Sequence, residues 1–336
     1  MKITTLVAFV VAAGTIASPV LVQGAQPVTQ PAPAKAKPAL YDVNADARQQ
    51  IATALAKAKK ENRRVLIQWG GNWCTWCIKL HESMQADRQI TRTLQYEYDV
   101  VHIDAGQPKD KNIDLATSYG ADLKKNGFPF LTVLDADGKP VANQETGSLE
   151  KKDASGESLL GKDMGHDAAK VLKFLKDHAA KPLEAQKVVD AGIARAKSSG
   201  KLVFLHFGAP WCGWCHRLED WMARAEPKPL LEKAFVDVKV DEDRMTGGKD
   251  LLAKYRGGNK GGIPWFVFLD GDGKVVATSD APGSGNVGFP AAKDEIAHFA
   301  AMLKVVPTLT DDDRAKLVES LKNDKAPARG GEGGGH

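Results

Sequence analysis

Two stretches of this chain repeat one pattern, and any fold must accommodate both. Residues 65–79 read VLIQWGGNWCTWCIK and residues 201–217 read KLVFLHFGAPWCGWCHR. Each opens on a short apolar run, Val65-Leu66-Ile67 or Leu202 to Phe207, with the character of a buried strand. Gly70-Gly71-Asn72 or Gly208-Ala209-Pro210 then breaks that strand. Trp73-Cys74 or Trp211-Cys212 follows, with Cys77 or Cys215 three residues later at the head of a predicted helix. The first cysteines stand 138 residues apart. Downstream, Gly-Phe-Pro ending at Pro129 and Gly-Ile-Pro ending at Pro264 precede apolar runs, 135 residues apart. Two markers that keep register to within three residues predict a duplicated unit.

The order strand, turn, Cys-x-x-Cys, helix suits thiol–disulfide exchange. A helix N-terminus carries unpaired N–H groups and the positive end of the dipole, which favour a thiolate. Cys74 and Cys212 are therefore expected to be the exposed nucleophiles. Cys77 and Cys215, one turn further in, are placed to release a mixed disulfide. Four cysteines allow three pairings, and close spacing favours 74–77 and 212–215. So small a loop adds little stability, which makes these cysteines reactive rather than structural.

At 336 residues the chain is long enough for two domains, each with its own core. A net charge of +4 gives no basic face for nucleic acid. Residues 1–25 read as a secretory signal: Lys2, an apolar run, then small residues. A membrane tether is expected only if that segment stays uncleaved. Residues 26–39, rich in Pro, Ala and Lys, read as a semi-rigid linker. Export permits disulfides.

The first unit is expected to run helix (44–62), strand (65–69), helix (75–84), strand (100–104), short helix (112–119), strand (130–134), edge strand (140–142) and closing helix (167–178), with a polar loop over 143–165. The second repeats it: helix 183–198, strand 202–207, helix 212–225, strand 235–240, helix 249–255, strand 265–269, edge strand 274–278 and helix 291–303. An extra helix at 311–322, capped by Thr310, precedes a Gly-rich tail at 329–336 that reads as disordered.

With these parts in place, residues 41–304 resemble the thioredoxin-like superfamily twice over, and GGNWCTWCIKL is similar to exported bacterial members with Trp-Cys-x-Trp-Cys sites. The resemblance implies an α/β fold of two thioredoxin-like domains, each a central mixed β-sheet with helices on both faces. It divides the chain into a signal peptide (1–25), a linker (26–39), domains at 40–181 and 182–305, and a C-terminal helix with tail (306–336). The family's cis proline falls on Pro129 and Pro264, where the backbone of Phe128 or Ile263 would pair with an incoming substrate strand. Trp73 and Trp211 would form an apolar lip, widened by Trp76 and Trp214. The chain departs from thioredoxin six positions before each first cysteine, where a buried acid is usual. Gln68 and His206 stand there. Gln68 cannot titrate, so proton transfer from Cys77 must use water or another group. His206 can accept a proton near neutral pH, or can simply be a satisfied core histidine.

The implied activity is protein thiol–disulfide oxidoreduction in the periplasm through Cys74, Cys77, Cys212 and Cys215, with no cofactor and no metal. Its partners would be substrate proteins with thiols or disulfides and a second redox protein. Direction is not written in the motifs. Three rivals stand beside this reading. Cys212-x-x-Cys215-His216 fits a haem attachment motif, although Ile78 replaces the histidine in the twin. Zinc could be held only if the two active-site helices met. The third is an adaptor that keeps the fold with at most one catalytically active domain.

Overall fold

The computed structural model describes residues 39–259 and 261–324, with the isolated positions Met1 and Ala8. Most of the expected signal, most of the linker and the whole Gly-rich tail lie outside the described residues. Among the described residues, no helix is long and apolar enough to cross a membrane.

The first half runs α1 (Ala47–Glu61), β1 (Arg64–Gly70), α2 (Thr75–Ala86), α3 (Arg88–Glu97), β2 (Tyr98–Asp104), α4 (Ile113–Ser118), α5 (Leu123–Asn126), β3 (Phe130–Leu134), β4 (Pro140–Glu145) and α6 (Ala168–Asp177). The second runs α7 (Ala185–Ser199), β5 (Leu202–Gly208), α8 (Gly213–Met222), α9 (Pro227–Ala234), β6 (Phe235–Asp241), α10 (Gly248–Arg256), β7 (Trp265–Leu269), β8 (Val275–Thr278), β9 (Asp280–Ala281), β10 (Gly285–Asn286), α11 (Lys293–Leu303) and α12 (Asp311–Lys322).

Each half builds a four-stranded sheet with the same order, β2-β1-β3-β4 and β6-β5-β7-β8. In both, the strand before the cysteines pairs parallel with one neighbour and antiparallel with the other. Successive strand side chains point to opposite faces. Val65, Ile67 and Trp69 therefore pack with α1 and α4, while Leu66 packs with α2, α3 and α6. Val203, Leu205 and Phe207 meet α7 and α10, and Phe204 meets α8, α9, α11 and α12. A strand covered on both faces must be apolar almost throughout, which explains the continuous runs read in the sequence. Both sheets are mixed and covered on both faces, as the sequence led us to expect.

The structure adds elements that the sequence reading missed. Helix α3 carries its buried stripe on only Ile90 and Leu94 amid polar residues, but Asp87 caps it by accepting from the Gln89 and Ile90 amides. Helix α9 opens on Pro227 at its first turn, where a missing N–H costs nothing. Helix α5 and the two-residue strands β9 and β10 are too short to leave a periodic signal. The polar 143–165 segment includes the end of β4 and two short 3₁₀ turns, Gly147–Leu149 and Gly161–Asp163.

The two halves touch through the C-terminal ends of α1 and α3. Arg244 donates to the Glu97 carboxylate at 2.8 Å and to the carbonyls of Glu61 and Asn62 at 2.8 and 3.0 Å. Tyr96 donates to Asp243 at 2.9 Å, and Gln95 reaches the Pro210 carbonyl at 3.4 Å. Helix α12 is part of the second core. Leu317 and Leu321 are buried, Trp221 donates to Ser320 Oγ at 3.0 Å, and Thr310 closes a capping box with Asp313.

Candidate active site

Cys74 and Cys212 are the N-cap residues of α2 and α8. The Sγ of Cys74 accepts from the Cys77 amide at 3.1 Å, and that of Cys212 from the Cys215 amide at 3.1 Å. Sulfur thus takes the place of a capping oxygen, and the amide that caps the helix would also hold a thiolate. Each pair is a closed disulfide, with S–S distances of 2.12 Å for 74–77 and 2.05 Å for 212–215.

The first cysteines are not exposed as expected. Cys74 is 6% and Cys212 4% accessible. Leu40, Tyr41, Trp76 and Phe128 pack on the first pair, and Ala209 and Ile263 on the second. The openings are rimmed instead by Trp73 and Trp211, each 48% exposed.

The prolines arrive where strand pairing brings them. The Phe128–Pro129 and Ile263–Pro264 bonds are cis, as is Gln107–Pro108. The Ile263 carbonyl lies 3.5 Å from Cys212 Sγ. Phe128 meets Trp73 edge to face at 5.3 Å. Trp76 packs edge-on to buried His166, whose pKa burial pushes down to about 4. Trp214 lies stacked over Phe289, and Arg217 covers both rings.

Beneath the disulfides the two sites differ. Gln68 donates through Nε2 to the Tyr41 hydroxyl at 2.7 Å and to the Cys77 carbonyl at 3.0 Å. His206 holds the equivalent strand position and sets Nε2 2.9 Å from Asp237 Oδ1. Burial pushes the Asp237 carboxyl up, but the His206 charge and hydrogen bond outweigh it and hold the pKa low. Beside Tyr41 lies the His102 ring, edge-on at 5.5 Å, with His81 a further 5.5 Å away. Burial, then the neighbouring His81, pushes His102 down to about 4.

At the second lip, Trp211 Nε1 donates to Asp243 Oδ2 at 2.8 Å, and Lys249 pairs with Oδ1 at 2.9 Å. Burial acts to raise the Asp243 carboxyl, but hydrogen bonds from Lys249, Trp211 and Tyr96 hold it below its ordinary value. His216, which gave the haem reading, places Nε2 2.9 Å from the Pro210 carbonyl. Among the described residues, no three His, Cys, Asp or Glu side chains are grouped to hold a metal ion.

Comparison with known proteins places this geometry. A family model described as "Thioredoxin-like domain" matches residues 51–156, and one described as "Protein of unknown function, DUF255" matches residues 167–325. The chain carries a thioredoxin-like domain followed by a DUF255-family region. Its relatives include a "Disulfide bond reductase DsbH" from Chlamydia pneumoniae, 28% identical over 102 residues, covering 28% of this chain and 59% of that one. "Protein disulfide-isomerase erp38" from Neurospora crassa is 26% identical, covering 62% of this chain and 51% of that one. The chain thus spans little more than half the length of these two relatives. A solved structure described as a disulphide isomerase from Xylella fastidiosa Temecula1 is 29% identical over 41% of this chain and 95% of that one, with a TM-score of 0.34. Each of the two Cys-x-x-Cys pairs stands at a helix N-terminus, one inside each matched region.

Sequence reasoning did not find Tyr41, Asn72, Tyr96 or Asp243 at these sites. Asn72 had a signal, since it sits in the break before Trp73. The others had none, being brought in by tertiary packing.

Proposed function

We propose that this chain is an exported thiol–disulfide oxidoreductase that acts on protein cysteines at both sites. Cys74 and Cys212 form the mixed disulfide, and Cys77 and Cys215 resolve it. In the reducing direction a thiolate at Cys74 attacks a substrate disulfide and expels one substrate thiolate. Cys77 then loses its proton and attacks Cys74 Sγ, expelling the second. Two electrons pass to the substrate, and a second thiol protein must return them. The oxidising direction reverses each step.

The observation that carries the reading is the capping hydrogen bond from the Cys77 and Cys215 amides to Cys74 and Cys212, made twice in equivalent places. Trp73, Phe128 and Pro129 at one site, and Trp211, Ile263 and Pro264 at the other, position substrate backbone. His206, paired with Asp237, takes the proton from Cys215. The leader-like residues 1–25 and the name of the Dsb-type relative support a periplasmic location.

The test is the reduction potential of each pair, read after equilibration in graded thiol buffers by alkylation and peptide mass mapping. Values near about −270 mV mark a reductant and values near about −120 mV an oxidant. A pair that does not titrate reversibly overturns the reading for that site.

A further inference from the structure

We propose that Tyr41 serves the first site as the buried hydrogen-bond donor to Cys77 sulfur whenever that sulfur is a thiolate. The inference rests on thiol–disulfide exchange at Cys74–Cys77 and supplies the polar partner that Gln68 cannot provide alone.

Tyr41 is fully buried, although it lies outside the strand–turn–helix motif. Asn72, in the turn before the cysteines, clamps its backbone from both sides. The Tyr41 amide donates to Asn72 Oδ1 at 3.0 Å, and Asn72 Nδ2 donates to the Tyr41 carbonyl at 2.8 Å. The ring is thereby carried under the disulfide. A side chain added at Gly70 would bring its Cβ within 2.5 Å of Cys77 Sγ and 2.6 Å of the Tyr41 oxygen, so these two atoms border one small space.

The direction of the hydroxyl follows from Gln68. The Cys77 carbonyl can only accept, so the Gln68 group facing it at 3.0 Å is the NH₂. That same NH₂ meets the Tyr41 oxygen at 2.7 Å. Tyr41 therefore accepts from Gln68, and its own O–H is left to donate elsewhere, with Cys77 Sγ across the shared space. Burial pushes the phenol pKa well up, so Tyr41 keeps its proton and is a donor, not a base.

The other titratable groups around Tyr41 are few. On β2, His102 stays neutral above pH of about 4, and Asp104 is ion-paired to Lys111 at 2.7 Å. On α2, burial holds His81 down against the opposing Glu82 charge. Asp42 is the chain neighbour of Tyr41 and is exposed. The second site has no counterpart: Ala179 stands 138 residues after Tyr41, and His206 replaces Gln68.

The experiment mixes the reduced full-length chain with oxidised glutathione, quenches by alkylation and maps each cysteine by mass. Cys74 thiolate takes one glutathione and releases the other. Cys77 then attacks Cys74, the second glutathione leaves as a thiol, and the proton lost by Cys77 balances it. With Tyr41→Phe, the Cys74–glutathione adduct should persist about tenfold longer at pH 7, the effect of one hydrogen bond to a charged group. The rising limb of the resolution rate should move to higher pH, while Cys212 resolves as before. An unchanged adduct lifetime, or slower resolution with an unmoved pH profile, overturns the proposal. If both sites slow together, the fold has been damaged and Asn72→Ala decides. It frees the Tyr41 backbone but keeps the ring, and should shift the Cys74 profile in the same direction; an unmoved profile overturns the proposal. If the unsubstituted chain forms no adduct at either site, exchange itself fails.

Discussion

Tyr96 and Trp211, from different halves of the chain, donate to the same oxygen, Asp243 Oδ2, at 2.9 and 2.8 Å. The lip of the second site is therefore fastened to the first domain through one carboxylate. Among the described residues, no equivalent hydrogen bond reaches across to Trp73, which leans on Phe128 within its own domain.

Removing the Tyr96 hydroxyl should loosen the second lip alone. A hydrogen bond to a charged acceptor is worth about 1.5–3 kcal/mol, less where the site is wet. Tyr96→Phe should raise the rate at which a small thiol attacks the Cys212–Cys215 disulfide by about fivefold, roughly 1 kcal/mol. The rate at Cys74–Cys77 should stay constant. Peptide-resolved alkylation reads both rates in one sample.

Asp243 sets an acid limit on that fastening. Although burial alone would raise its pKa, Lys249, Trp211 and Tyr96 hold it low. A depressed carboxyl contributes stability that is present above its unfolded pKa and lost as pH falls through the folded one. Trp211 emission should therefore hold steady from pH 7 down to about 4 and change below that. Asp243→Asn should abolish the acid transition.

Two histidines give the first domain a milder acid sensitivity. Burial depresses both His102, with help from His81, and His166 to about 4 from 6.5. The unfolded chain then binds more protons than the folded one. Stability is fully present above about pH 6.5 and declines toward pH 4, by about 2–3 kcal/mol for each histidine. Thermal melts across that window should show the fall, and His166→Gln should flatten part of it.

Each nucleophile should act for its own site. Cys74→Ser should end exchange at the first pair and leave Cys212–Cys215 active, and Cys212→Ser the reverse. Insulin disulfide reduction followed with each variant reads this. If either change silences both sites, electrons pass between them.

Helix α12 should be needed for the second domain to stay folded. Leu317 is fully buried among Trp221, Phe299 and their neighbours. Leu317→Ala should cost about 2–5 kcal/mol in denaturant unfolding. An exposed change on the same helix, Lys316→Ala, should cost well under 1 kcal/mol.

Much of the fold was legible because its strands are unusually explicit. Val65-Leu66-Ile67 and Val203-Phe204-Leu205 must be apolar on both faces, so each announces a central strand. Helices α3 and α9 escaped notice because tertiary contacts stabilise them more than their own pattern does. Ile90 and Leu94 make only a two-residue stripe, which is meaningful once Leu66 and Val171 are there to receive it. The cysteine pairs were readable from spacing, and the prolines beside them from the family resemblance. Their burial was not, since Leu40, Tyr41, Phe128 and Ile263 come from separate segments to cover them.

By itself the sequence determined two strand–turn–Cys-x-x-Cys–helix units and the place of their first cysteines at a helix N-terminus, because these depend on residues a few positions apart. Only the tertiary structure decided what surrounds each sulfur. Gln68 and His206 occupy equivalent strand positions, yet one orients a tyrosine 27 residues earlier and the other an aspartate 31 residues later. A buried polar side chain must find a partner where the fold offers one, and that partner's place in the chain is set by strand pairing and packing, which short-range spacing does not encode.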